Sequence, residues 1–167
     1  MSRPFAIALT AILAAAAVAP LAQAGDYKLG ALTIRQPWSR PAQAGMNGVG
    51  FMTIANAGKT PVTLQRAETP AAASVEIHQS AMANGVMTMR ELDKGVVIPA
   101  GGQVAFAPGG YHFMILSLKA AQTVGQKLPV TLIFDNGRKV QVELTVQLTP
   151  PSGGQAPAAA GHQPPPV

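Results

Sequence analysis

The sequence of 167 residues contains no cysteine, and only 11% of its residues are charged. Without cysteine the chain can form no disulfide, so packing alone must hold its fold together. No thiolate is available to a metal ion either. The basic residues exceed the acidic ones, giving a formal net charge of +5, but they are scattered along the chain. Because they form no run and aromatic residues are few, binding to nucleic acid is not expected.

Long apolar runs are also absent, apart from one at the amino terminus. Residues 1–24 have the form of a secretory signal peptide, with a positive start at Arg3 and an apolar stretch over 5–18. A small-x-small cleavage motif follows at 22–24. The apolar stretch is too short for a membrane anchor and gives way to Pro20. We therefore predict export to the periplasm and a soluble mature chain without a membrane span.

The third absence is a helical pattern, since no segment shows a long repeat of 3.6 residues. Residues 25–148 instead contain short runs of Val, Ile, Thr, Leu and Phe separated by Gly, Pro and Asn, which predicts one all-β domain. A single short turn or helix is allowed over 119–126. Residues 149–167 are rich in Pro, Gly and Ala without charge, which predicts a flexible tail. Such regularly spaced strands indicate an antiparallel sandwich or barrel. The predicted strands are 32–34 leading to Trp38, 50–55, 62–66, 74–78, 87–90, 96–98, 104–106, 114–118, 128–134 and 140–146.

Soft metal ligands are concentrated between His78 and Met114. Ten residues separate His78 from Met89, and twenty-two separate Met89 from the His112-Phe113-Met114 triplet. Imidazole and thioether together suit a soft or borderline metal ion, and thioether sulfur favours Cu(I) over Mg, Ca or Mn. We therefore predict a copper site made by His78, Met89, His112 and Met114.

Strand alternation predicts where these side chains point. His112 and Met114 should project to one side of their strand. Ile77 belongs to an apolar face, so His78 should point away from the core. A hairpin return through Asn84-Gly85 could bring Met89 near His78.

The remaining methionines and the third histidine have weaker assignments. Met46 and Met52 are expected to fill the core, which is the usual role of methionine. Met82 and Met87 are candidate accessory metal ligands. His162, in the predicted tail, could add an accessory site for Cu(I) or Cu(II).

The segments VEIHQSAMANGVMTMREL and IPAGGQVAFAPGGYHFMILSL closely resemble the periplasmic copper chaperones of the PCuAC type. The upstream segment QPWSRPAQAGMNGVGFMTIANAG resembles the Trp-containing first strand of that family and its following loop. His78, Met89, His112 and Met114 match the four Cu(I) ligands of the family. The spacer before His112 is one residue longer than the family pattern.

The resemblance implies a cupredoxin-like Greek-key β-barrel with a surface-exposed Cu(I) site. It also implies a metallochaperone that delivers copper to the copper centres of cytochrome c oxidase. The implied partners are the copper subunit of the oxidase or a thiol-based copper assembly protein. We expect the protein to be a monomer.

Four alternatives are weighed against this function. A blue-copper electron carrier needs a cysteine ligand, which the chain lacks. Catalytic zinc needs three protein ligands and no catalytic constellation stands out, so we expect no enzyme. A periplasmic copper-storage or resistance protein, and a secreted β-sandwich that transfers no metal, remain open.

Overall fold

The computed structural model describes residues 25–151. The predicted signal peptide, residues 152–167 of the predicted tail and therefore His162 lie outside the described residues. Within the described part, no helix is long and apolar enough to cross a membrane.

Residues 25–151 form eleven β-strands and no helix, as the sequence predicts for an all-β domain. The segment 119–126, allowed as a short helix, consists of turns and one isolated bridge. The strands are β1 Tyr27–Leu29, β2 Leu32–Ser39, β3 Gly48–Asn56, β4 Val62–Glu68, β5 Ser74–Ala83, β6 Val86–Glu91, β7 Val96–Ile98, β8 Gln103–Phe106, β9 Tyr111–Leu116, β10 Lys127–Phe134 and β11 Lys139–Val146.

Ten of these strands match the predicted segments, and two differences stand out. The three-residue β1 was not predicted, because a strand that short carries too few residues for an alternating pattern. The strand predicted over 114–118 begins three residues earlier, at Tyr111, and ends at Leu116. His112 therefore lies within β9 rather than before it.

The strands follow one another in the order β6-β5-β9-β8-β3-β2-β11-β10-β4-β7. A further pairing of β5 with β4, through Val75 and Ala67, links the strands next to the two ends of this path and closes it towards a barrel. The pairings are antiparallel, as predicted, except for β2 with β11 and β8 with β9, which are parallel. β2 and β11 are far apart in the sequence, so no tight turn restricts their relative direction. β8 and β9 are joined directly by the turn over 107–110 and share only the pair Phe106 and Tyr111.

Alternate residues of these strands fill a single apolar core. On β11, for example, Val142, Leu144 and Val146 are fully buried while the residues between them are more exposed. Phe106 and Phe113 stack in the core with ring centroids 4.5 Å apart. Met52 is buried, as predicted. The prediction for Met46 is wrong, because this residue lies in the turn between β2 and β3 and is 61% exposed.

The β5–β6 hairpin extends beyond the rest of the sheet. Residues 74–79 of β5 pair with β9, whereas residues 78–83 pair with β6. Asn84 and Gly85 connect the two strands with φ values of 52° and 78°. Positive φ at both central residues is the feature of a type I′ hairpin turn. β6 has no second neighbour within the described sheet, so its outer edge is open. Residues 81–91 are all exposed, so neither face of the hairpin end is covered.

Candidate metal centre

The four predicted ligands lie on three adjacent strands, with β5 in the middle. His78 is on β5, Met89 is on β6, and both His112 and Met114 are on β9. His78 pairs directly with His112 across β5 and β9. Residues that face each other in an antiparallel pair project to the same side of the sheet. The two histidines therefore share a face.

The same register places both methionines on that face. Met114 pairs with Glu76, which lies two residues before His78 on β5. Met89 pairs with Ser80, which lies two residues after His78. Since residues two apart in a strand share a face, all four predicted ligands project to one side of the three strands.

On β5 and β9 the opposite face lies against the core, whereas all residues of β6 are exposed. Ile77, Phe113 and Ile115 are each at most 4% exposed and belong to the main apolar cluster. The predicted alternation is thus found on both β5 and β9. Each ligand on β9 is adjacent in sequence to a buried anchor, so the core holds the backbone of the site in place.

The two imidazole rings are close enough to share one ion. Their centroids are 5.8 Å apart and their planes are inclined by 58°. With a metal–nitrogen distance of roughly 2.0–2.1 Å, as in zinc sites, an ion lies about 3.2 Å from each ring centre. Rings separated by up to about 6.4 Å can then bind the same ion, so the observed separation fits a shared metal.

His112 is held by the backbone of the turn that precedes it. Its side chain is buried, and its Nδ1 lies 3.1 Å from the carbonyl oxygen of Gly110. That carbonyl also accepts a hydrogen bond from the Ser80 amide at 3.0 Å. A carbonyl can only accept, so Nδ1 carries the proton and donates it. The Nε2 atom of His112 is therefore left with a free lone pair.

His78 is oriented by a carboxylate instead. Its Nε2 lies 2.8 Å from Oε2 of Glu76, and its side chain is 15% exposed. Donation from Nε2 to the carboxylate leaves Nδ1 with the lone pair. This Nδ1 atom is shielded from solvent and has no hydrogen-bond partner among residues 25–151. A buried lone pair without a partner is unfavourable, and a metal ion would satisfy it.

Met89 differs from the other ligands in its accessibility. It is 52% exposed on the edge strand β6, whereas Met114 on β9 is partly buried. Three of the predicted ligands therefore lie against the body of the domain, and the fourth lies at its surface. The open side of the site is the side of Met89.

Two carboxylates beside His78 were not predicted as part of the site. The ligand atoms of Glu76, His78 and Glu91 all lie within 4.8 Å of one another. Strand alternation alone puts Glu76 on the face of His78, so the sequence did contain a signal for it. Glu91 pairs with His78 only through the register of the hairpin. The two carboxylates place negative charge beside a site whose four predicted ligands are neutral.

The candidate accessory methionines lie further out on the same face. Met82 and Met87 pair directly with each other near the hairpin turn and are 69% and 61% exposed. They lie closer to the hairpin turn than the histidines do, so the structure does not bring them into the four-residue group. His162 lies outside the described residues.

Comparisons with known proteins identify the family. A protein-family model described as "Putative lipoprotein LpqE-like" matches residues 32–146, which is most of the chain and includes all four predicted ligands. The chain belongs to the LpqE-like family. A relative from Leifsonia xyli, "Putative lipoprotein Lxx21020", is 34% identical to this LpqE-like protein over 126 residues, covering 75% of each chain.

Solved structures support the same relationship. The apo PCuAC domain of PmoF1 is similar with a TM-score of 0.63 and 26% identity, covering 75% of this chain and all of that domain. The solution structure of CuI-DR1885 from Deinococcus radiodurans is similar with a TM-score of 0.52 and 27% identity. It covers 68% of this chain and 78% of that one. The predicted resemblance to PCuAC proteins and the predicted cupredoxin-like all-β fold are both confirmed.

Proposed function

We propose that this LpqE-like protein is a periplasmic Cu(I) metallochaperone that binds one copper ion at His78, Met89, His112 and Met114. The observation that carries the proposal is the arrangement of the two histidines. They face each other at a distance suited to one shared ion, and each has one ring nitrogen occupied by a fixed acceptor. His78 would bind through Nδ1 and His112 through Nε2, because those are the nitrogens left free.

The donor set supports Cu(I) as the cargo. Two thioethers and two imidazoles are neutral and soft or borderline, which suits a monovalent soft ion. The carboxylates of Glu76 and Glu91 lie beside this set, where their negative charge favours any cation. The similar protein from Deinococcus radiodurans has been solved in a form named for Cu(I).

Transfer, rather than permanent storage, is supported by the exposure of Met89. A ligand on an open edge strand can leave the ion while the three more buried ligands still hold it. An acceptor group can then take the vacated position, and the ion moves by stepwise ligand exchange. A thiolate acceptor would bind Cu(I) more strongly than thioethers do, so the exchange would run towards it.

The copper centres of cytochrome c oxidase are the proposed destination. This part of the proposal depends on the resemblance to PCuAC chaperones and on the predicted signal peptide, which would bring the protein into the periplasm. The oxidase copper subunit, or a thiol-based assembly protein acting before it, is the proposed acceptor. The proposal contains no catalytic step, in keeping with the expectation that the protein is not an enzyme.

A transfer experiment tests the delivery function. The protein loaded with one equivalent of Cu(I) is mixed with the metal-free soluble domain of the oxidase copper subunit, with and without a thiol-based assembly protein. The two proteins are then separated, and the copper content of each is measured. We expect the copper to be found on the acceptor. The His112→Ala, Met114→Ala variant treated with the same amount of Cu(I) shows how much copper reaches the acceptor from solution. Retention of copper by the wild-type protein under all conditions would favour the storage alternative.

A second prediction concerns the carboxylate that orients His78. The substitution Glu76→Gln removes the negative charge that accepts the Nε2 proton, so the ring becomes a weaker and less well oriented ligand. Loss of such an outer partner costs about 10–100-fold in metal affinity, and we expect about tenfold here. Competition with a Cu(I) chelator measures the change.

Glu68→Gln is the matched control for this variant. Glu68 is an exposed carboxylate on β4 that pairs with Arg66 at 3.2 Å, so its removal should leave the Cu(I) affinity unchanged. Equal affinities of the Glu76→Gln variant and the wild-type protein would show that the carboxylate does not position His78.

A further inference from the structure

Met82 and Met87 form a pair of thioethers at the end of the β5–β6 hairpin. They are direct partners in the register of the two strands and project to the same side. Opposed residues have Cβ atoms roughly 4.5–5.5 Å apart, which lets two flexible methionine side chains reach one ion between them. The positive φ values of Asn84 and Gly85 hold this register at the turn.

This pair belongs to the same face as the four proposed copper ligands. Along β5 the residues on that face are Met82, Ser80 and His78, and their partners on β6 are Met87, Met89 and Glu91. Each step along the hairpin covers roughly 6.6–6.8 Å. Met89 occupies the step between the outer pair and the two histidines, so thioether sulfur is present at every step from the tip to the site.

Exposure is high for the methionines of the hairpin and low for the histidine on β9, although Glu91 beside the histidines is itself exposed. Met82 is 69% exposed, Met89 is 52% exposed and His112 is 5% exposed. Large apolar side chains on both strands of an exposed hairpin are costly to keep in water, and the core gains nothing from them. Thioether side chains therefore connect the solvent-exposed end of the hairpin with the more buried histidines.

We propose that Met82 and Met87 bind Cu(I) as a second, weaker site through which the ion enters and leaves the four-residue site. The existence of the outer site depends only on the hairpin, whereas its role as an entry depends on the function proposed above. Transfer is an exchange of neutral ligands. Met89 forms a bond to copper as the bond to Met82 or Met87 breaks, and copper remains Cu(I) throughout without release of a proton or an electron.

Cu(I) titration followed by NMR of the methionine methyl groups tests the outer site. The first equivalent should shift the signals of Met89 and Met114, and the second should shift those of Met82 and Met87. With two donors instead of four, the outer site should be at least about a hundredfold weaker. Met46 is as exposed as Met87, so its signal is the internal control and should not move. Shifts of Met46 equal to those of Met82 and Met87, or no shift of the pair at all, would overturn the proposal.

The variant Met82→Leu, Met87→Leu tests the role as an entry. Leucine keeps the apolar surface of the hairpin end but removes both sulfur atoms, so a surface used only for docking would still work. We expect the equilibrium affinity of the four-residue site to stay within about twofold, while the rates of Cu(I) uptake and release fall at least about tenfold. Rates equal to those of the wild-type protein would overturn the role as an entry. Met46→Leu is the matched control and should leave both quantities unchanged.

A third measurement separates this inference from the proposed function. In the His112→Ala, Met114→Ala background the outer pair is intact, so one weak equivalent of Cu(I) should still shift Met82 and Met87. If the wild-type protein shows only this weak binding, the assignment of the four-residue site is wrong and the assignment of the outer site is supported. If only the strong binding is seen, the outer site is wrong and the proposed function stands. The same titration is repeated on the His162→Ala variant, which lacks the one histidine outside the described residues. The shifts of Met82 and Met87 should be unchanged.

Discussion

The substitutions His112→Ala and Met114→Ala together should abolish the tight binding of Cu(I). Four-ligand structural zinc sites in peptides provide about 10–16 kcal/mol, so losing two of four donors should cost several kcal/mol, or at least roughly a thousandfold in affinity. Both side chains lie on the face of β9 away from the core, while the buried Phe113 between them is retained. The fold should therefore survive. Competition with a chromophoric Cu(I) chelator measures the affinity, and circular dichroism with thermal unfolding checks the fold.

Met46→Ala is the control for this double variant. It truncates an exposed side chain in the turn after β2 and keeps the backbone carbonyl that accepts a hydrogen bond from the Leu118 amide, so it should change neither affinity nor stability. A double variant that is folded and binds Cu(I) as tightly as the wild-type protein would refute the assignment of the site.

The second large effect is a loss of stability on truncation of Phe113, which lies between His112 and Met114. Phe113 is 1% exposed and stacks on Phe106 with centroids 4.5 Å apart. Truncation of a buried aromatic side chain to alanine costs about 3–5 kcal/mol, because both the burial and the packing are lost. Phe113→Ala should thus lower the free energy of unfolding by about that amount, a large part of the about 5–15 kcal/mol typical of whole domains. Denaturant titration of the metal-free protein measures it.

Copper should partly restore the stability of this variant. An ion that binds only the folded state stabilises it by an amount that grows with the logarithm of its concentration divided by its Kd. One equivalent of Cu(I) should therefore raise the unfolding midpoint of Phe113→Ala. Val97→Ala, on the exposed side of β7, is the control and should cost less than about 0.5 kcal/mol. A loss below about 1 kcal/mol in Phe113→Ala would mean that Phe113 does not anchor β9.

The strands of this protein were largely predictable because their cause is local. The alternation around Ile77 and His78 is enough to identify the buried and the outward face of β5. The start of β9 was harder, because Tyr111 follows a Gly-Gly turn and carries no alternation of its own. Met46 was misassigned for a related reason. Methionine often packs in protein cores, but the position of the turn after β2 decides whether Met46 does so here.

The candidate site was predictable in its chemistry and not in its geometry. The spacing of His78, Met89, His112 and Met114, and the resemblance that it carries, predicted the candidate donors. The carboxylate of Glu91 could not be named, because its distance to His78 depends on how β6 pairs with β5. The sequence also could not predict which ring nitrogen of each histidine is free, because this depends on which acceptor the other nitrogen contacts.

The amino-acid sequence by itself determined which atoms are offered to a metal and which side of each strand presents them, because side-chain chemistry and strand alternation are properties of short segments. Only the tertiary structure decided that His78 faces His112, that Met89 lies one step outward, and that Met82 faces Met87. A shift of one residue in the pairing would have separated these side chains onto opposite faces. That register is set by the turn at Asn84-Gly85 and by the packing of β5 and β9 over a shared core, which no segment of the sequence contains alone.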